Sequence, residues 1–178
     1  TLPELRQQID SIDEQIHHLI NQRALCAQQV AEVKKAEDPT IKSFYRPERE
    51  AQVLQMVIAR QAQFKEQQKL QHRDTLNGET IARLFREIMS VCLALESPLN
   101  IAFLGPNGTF THTAALKHFG HAALTHPITT IDEVFREVEA QSVNYGVVPV
   151  ENSSEGVVNH TLDCFMASSL KIIGEVEL

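Results

Sequence analysis

Residues Leu2 to Lys35, LPELRQQIDSIDEQIHHLINQRALCAQQVAEVKK, decide the fold. Apolar side chains recur at Leu2, Leu5, Ile9, Ile12, Ile16, Leu19, Cys26, Val30 and Val33. This is the alternating three- and four-residue spacing of a coiled-coil seam. The pattern predicts one uninterrupted helix, about 50 Å long at ~1.5 Å of rise per residue. A helical domain of fewer than about 100 residues cannot cover such a rod, so a second copy of the chain is expected along it, making a homodimer through this helix. Arg23 takes the seam position after Leu19, where a guanidinium must meet an anion or pay a large desolvation cost. Arg6 and Lys34 flank the same stripe and add two further cations to the rod.

The remainder of the first 97 residues also reads as helical. Asp38-Pro39 ends the first helix, because the residue before a proline is driven out of the α region. Pro47 suits the first turn of a second helix, expected to run to about Gln71 with Val53, Leu54, Val57, Ile58 and Phe64 on one face. Asn77-Gly78 marks a turn, and Ile81, Leu84, Phe85, Ile88, Cys92 and Leu95 define a third amphipathic helix that Pro98 stops.

From residue 98 the texture changes to strands alternating with helices, the mark of a parallel α/β sheet. Ile101 to Leu104 is an apolar run ending in Gly105-Pro106-Asn107-Gly108-Thr109, with a helical segment to Phe119 after it. Leu124 to Ile128 is expected as a second strand, and Thr130 with Glu133 as a capping box. Tyr145 to Val150 and Leu170 to Leu178 are expected as further strands, with a helix to Met166 between them. The two predicted domains are therefore residues 1–97 and 98–178.

Composition removes several function classes. A net charge of −7 argues against nucleic acid as the principal partner, since phosphate binding requires a basic surface. No apolar run reaches the ~18 residues of a membrane span, and the N-terminus lacks a signal-peptide core. Cys26, Cys92 and Cys164 are odd in number and widely spaced, which predicts free thiols and a cytoplasmic location. The histidines, from His17 to His160, show no spacing with acids or thiols that reads as a metal site, so neither metal nor cofactor is expected.

The chemistry indicated by Arg6, Arg23, Lys34, Arg46, Arg49 and Glu50 is a pocket for a small dianion that also carries a hydroxyl. The patterns Leu5-Arg6-x-x-Ile9-Asp10, Leu19-x-x-x-Arg23, Val33-Lys34, Tyr45-Arg46-Pro47-x-Arg49-Glu50 and Ile81-x-x-Leu84-Phe85-x-x-Ile88 resemble the all-helical chorismate mutases. IAFLGPNGTF (101–110) and VVPVENSSEG (147–156) resemble the opening of a prephenate dehydratase domain. Together they resemble the family of bifunctional chorismate mutase/prephenate dehydratases.

That resemblance implies an all-α three-helix domain with a very long first helix, followed by an α/β, periplasmic-binding-protein-like lobe of a dehydratase. It implies a Claisen rearrangement of chorismate to prephenate, which needs no nucleophile and no cofactor, only a held conformer and stabilised charge. By resemblance Arg6, from the partner copy, and Arg23 bind the carboxylates, and Arg49 supports them. Lys34 donates to the ether oxygen, Glu50 accepts from the ring hydroxyl, and Cys92 and Glu96 complete the pocket. Glu96 must be protonated to face that ether, because an ionised carboxylate can only accept. Asn152 and Ser153, at the end of an apolar strand, are the candidate substrate contacts of the dehydratase half. The family's Thr-Arg-Phe motif is not found here, so the dehydratase domain is expected to be incomplete and its lyase activity to need a longer protein. The rival reading is a non-catalytic helical dimerisation module fused to a small α/β ligand-binding domain; an arginine at a seam position speaks against it.

Overall fold

The computed structural model describes residues 1–67, 76–152 and 156–178. Three helices come first: α1 (Leu2–Glu37), α2 (Pro47–Gln67) and α3 (Gly78–Glu96). Glu4 reaches back to the Thr1 nitrogen at 2.6 Å in the first turn of α1, and the Asp38 N–H closes the last turn on the Lys34 carbonyl at 2.9 Å. Asn77 caps α3, its Oδ1 accepting the Thr80 N–H at 2.7 Å. The expected extension of the second helix to Gln71 lies outside the described residues.

α1 is shielded on one side of its C-terminal half only, at Ile20, Arg23, Ala24, Ala27, Gln28, Ala31 and Lys34, where it packs on α3. The alanines of this face allow close approach of the two backbones. The seam read from the sequence is a different face. Leu2, Leu5, Ile9, Ile12, Ile16 and Leu19 are 48–61% exposed, and Val30 and Val33 stay at 50% and 56%. Arg23 lies where the two faces meet. Residues 1–19 are exposed throughout, so roughly 28 Å of helix projects beyond its own domain.

The second half comprises β1 (Asn100–Leu104), α4 (Phe110–Phe119), β2 (Leu124–Ile128), α5 (Ile131–Glu139), β3 (Tyr145–Val147), β4 (Glu151–Asn152), β5 (Gly156–Val157) and α6 (Asn159–Ala167). Three strands form a parallel sheet in the order β2-β1-β3. Ile101, Ala102 and Phe103 of the central strand are fully buried, as a parallel strand covered on both faces requires. Thr130 caps α5 through the Glu133 N–H at 3.2 Å, whereas the Glu133 carboxylate takes the Thr129 hydroxyl at 3.0 Å.

Two strand expectations are corrected. The third strand ends at Val147 and does not run on to Val150, because Pro149 has no N–H for a ladder and its carbonyl accepts the Thr161 hydroxyl at 2.7 Å. Residues 151–152 then pair antiparallel with 156–157. Leu170 to Leu178 forms no strand: apolar character supplies no ladder partner, and this segment lies against α4. Lys117 Nζ donates to the Glu177 carbonyl at 2.7 Å, and a Cβ on Gly174 would stand 2.9 Å from the His118 ring.

The halves interlock. Tyr45, from the connection between α1 and α2, is 5% exposed and belongs to the core of the α/β half with Leu99, Ile101, Ala115 and Phe119. Its ring lies 5.8 Å from that of Phe119 and 5.5 Å from that of Tyr145. Gly120 ends α4 at φ +80° directly against α3, where an added Cβ would meet Ser90 Cβ at 2.4 Å. Alongside, Arg86 Nη1 donates to the Lys117 carbonyl at 3.3 Å, and the Glu87 carboxylate accepts the His121 N–H at 3.1 Å.

Candidate functional site

The contact between the C-terminal half of α1 and the last turns of α3 holds two of the expected cations, Arg23 and Lys34, together with Lys35. Glu96, half-buried in the final turn of α3, has its carboxyl pushed above the ordinary range by burial, and Lys34, Lys35 and Arg23 pull the other way. These three cations therefore act electrostatically on one carboxyl. The two lysines are anchored by the Phe44 ring, whose centroid lies 5.9 Å from Lys34 Nζ and 5.2 Å from Lys35 Nζ. Phe44 is 6% exposed, so the cation–π platform is rigid. Cys92, one turn before Glu96, is 1% exposed and is held in the packing between helices.

The remaining expected residues stand apart from this cluster. Arg6 is exposed on the projecting half of α1. It is 17 positions from Arg23, about 26 Å along one rigid helix, and the two cannot meet on one ligand within a single chain. Arg49 is exposed in the first turn of α2 with Nη1 3.5 Å from Gln52 Oε1. Arg46, whose role the sequence leaves open, turns back on its own loop and donates to the Tyr45 carbonyl at 3.3 Å. Glu50 faces the α/β half: its Oε1 lies 3.5 Å from Arg86 Nε, and burial raises its carboxyl while Arg86 opposes the shift. Arg86 thus touches both Glu50 and the end of α4. Lys35, Phe44 and Arg86 were not singled out from the sequence. The doubled lysine at 34–35 and the aromatic pair at 44–45 carried a signal for the first two, whereas the Arg86–Glu50 pairing spans 36 positions and depends on tertiary packing.

In the second half the loop after β1 is held from several sides. Thr109 Oγ1 donates to the Pro106 carbonyl at 2.9 Å and accepts the His112 N–H at 3.4 Å. His112 Nδ1 accepts the Gly108 N–H at 3.1 Å, and its ring stacks on Phe103 with centroids 4.6 Å apart. Gly108, at φ +85°, supplies the left-handed turn this requires. Asn152 lies in β4, in the connection that leads out of β3, and Ser153 falls outside the described residues. The histidine reading needs a correction: His160 and Cys164 on α6 come together with Asp132 on α5. Their one-turn spacing was visible in the sequence, but the aspartate partner was not.

A chorismate mutase type II family model matches residues 5–97, and a prephenate dehydratase model matches residues 101–178. A bifunctional chorismate mutase/prephenate dehydratase of Stutzerimonas stutzeri is 56% identical over 99% of this chain and 46% of its own length. Relatives of the same description from Pseudomonas aeruginosa and Aquifex aeolicus are 55% and 43% identical, each again covered over 46% of its length. The chain therefore spans about half the length of the curated relatives it matches. Among solved structures, a prephenate dehydratase from Streptococcus mutans is 42% identical, covering 40% of this chain and 37% of that one, at a TM-score of 0.37. No helix among the described residues is long and apolar enough to cross a membrane.

Proposed function

Because this chain belongs to the chorismate mutase type II family, we propose that its helical half converts chorismate to prephenate at the Arg23–Lys34–Glu96 cluster, completed by Arg6 of a second copy. The observation that carries this reading is the raised carboxyl of Glu96 among three cations. A protonated Glu96 and the Lys34 ammonium are both donors, and both can face an ether oxygen that only accepts. Arg23 holds one carboxylate of the dianion. Arg6 holds the other from the partner's projecting helix, since within one chain it lies about 26 Å from Arg23 along the helix. Arg49 adds positive potential from the head of α2. Glu50 accepts from the ring hydroxyl, with Arg86 opposing the upward push of burial on its carboxyl, and Cys92 forms the packed floor beneath Glu96.

The reaction is a unimolecular bond reorganisation, so these groups act by selecting the compact conformer and by stabilising charge as the ether bond lengthens. The chain works as a homodimer in a reducing, cytoplasmic setting, where Cys26, exposed on α1, stays a free thiol. Residues 98–178 form part of a prephenate-binding dehydratase domain, with Asn152 and Ser153 contributing to its substrate surface. The test is depletion of chorismate absorbance. Arg23→Ala is expected to lower kcat/KM by about 10²–10³-fold with the far-UV helical signal unchanged. Wild-type kinetics in a folded Arg23→Ala protein would remove Arg23 from the site.

A further inference from the structure

Asp132, His160 and Cys164 meet on the face of the α/β half where α5 packs on α6. His160 and Cys164 are four positions apart on α6 and so share one helix face. Asp132 is the second residue of α5. His160 Nε2 lies 2.7 Å from Asp132 Oδ2, Cys164 Sγ 3.8 Å from Asp132 Oδ1, and Cys164 Sγ 3.9 Å from His160 Nε2. The positions are preset by packing that does not involve these groups: the Phe135 and Phe165 rings meet edge-on with centroids 4.9 Å apart, and Thr161, fully buried, ties the start of α6 to Pro149.

We propose that Asp132, His160 and Cys164 form a binding site for a divalent transition-metal ion of zinc's class. In a nucleophile–base–carboxylate relay the imidazole uses its two nitrogens, one for each neighbour. Here the single Nε2 faces both the thiol and the carboxylate, and one donor atom from each of the three residues lies within 4.8 Å of the others. Tetrahedral zinc with bonds of about 2.3 Å to sulfur and about 2.0–2.1 Å to nitrogen places those two ligands about 3.6 Å apart. The observed 3.8 and 3.9 Å come within a few tenths of an ångström of that spacing, and only the short His160–Asp132 contact must open to admit the ion.

A thiolate and a carboxylate neutralise a dication with the imidazole neutral, and binding releases the thiol proton to solvent. The other charged groups acting on the cluster are Asp163 beside Cys164 and Arg136 one turn along α5; they are of opposite sign. A sulfur and an imidazole nitrogen select against magnesium and calcium, which take oxygen ligands. The His160 and Asp132 side chains are 56% and 48% exposed, so a fourth coordination position opens to solvent.

The test uses the full chain after chelator treatment, with cobalt(II) as the optical probe and zinc(II) as competitor. A thiolate-to-cobalt charge-transfer band saturating at one equivalent per chain, and abolished by zinc, is the expected result. Cys164→Ser, close in shape to the wild type, should lose that band, whereas Cys26→Ser and Cys92→Ser should keep it. Folded His160→Gln and Asp132→Asn proteins should bind zinc at least about 100-fold more weakly, beyond the 10–100-fold cost of disturbing an outer-shell partner. The proposal is overturned by a wild-type protein with no thiolate band, by a band that survives Cys164→Ser, or by wild-type zinc affinity in folded His160→Gln or Asp132→Asn.

Discussion

Glu96 carries opposing influences that burial wins. Its folded-state pKa lies above the ordinary 4.5, so folding favours the protonated form. The stability this carboxyl contributes is therefore complete below its ordinary pKa and is lost as pH rises through the raised value. On the proposed mechanism turnover is expected to run in the same direction, because only the protonated acid donates to the ether oxygen. Wild-type kcat is expected to fall on the alkaline side of the Glu96 pKa, and Glu96→Gln, a permanent donor, should hold its rate there. Superimposable pH–rate profiles for the two proteins would place Glu96 outside the site. The upward direction at Glu96 agrees with the sequence expectation that burial would raise it, whereas the requirement for a protonated acid there came from the family resemblance that sets Glu96 opposite the ether. The cation–π platform was not legible in the sequence, because Phe44 reaches Lys34 and Lys35 only once the chain has turned at Pro39. Nor was the pairing of Glu50 with Arg86, which turns that acid toward the α/β half.

α1 shows how far a periodic pattern reaches. The spacing of Leu5, Ile9, Ile12 and Ile16 specified a long helix and an apolar seam, and both are present. It could not say that the intrachain contact uses the neighbouring alanine face and leaves the seam bare. Fully burying an exposed Leu or Ile is worth about 1.5–3 kcal/mol, and eight seam residues along α1, standing about half exposed, can each gain roughly half of that. Summed over both copies this gain is of the size needed to offset the entropy of association. Sedimentation of the wild type at micromolar concentration is expected to show a dimer. Ile12→Asp, which places a charge in mid-seam, should give a monomer with at least about a 10²-fold loss of mutase rate, because Arg6 leaves the partner's site. A dimeric, fully active Ile12→Asp protein would contradict this. The tail at 170–178 shows the converse limit: apolar residues there have the composition of a strand, but a ladder depends on a neighbour that the local sequence does not encode.

Across the whole molecule the two halves are joined by more than the connection at 97–99. Gly120 combines a positive φ with a close approach to Ser90, so Gly120→Ala meets both backbone strain and a clash at 2.4 Å. It should cost about 1–3 kcal/mol and lower the melting midpoints of the helical and α/β signals together. Separate transitions, or an unchanged midpoint, would mean that the α3–α4 contact does not couple the halves. The change from helical to strand-and-helix texture was plain in the sequence. The joint was not, since each of its contacts pairs residues distant along the chain. Tyr45 has a consequence of another kind. A fusion of two enzymes is commonly pictured as beads on a string, each exchangeable by recombination at the link. Here the ring that fills the core beside Phe119 and Tyr145 is encoded about fifty codons upstream of that link, within the segment for the helical half. A crossover at the link would deliver an α/β half with a hole in its core and a helical half with a bare tyrosine. The two halves are therefore matched to each other through this one ring.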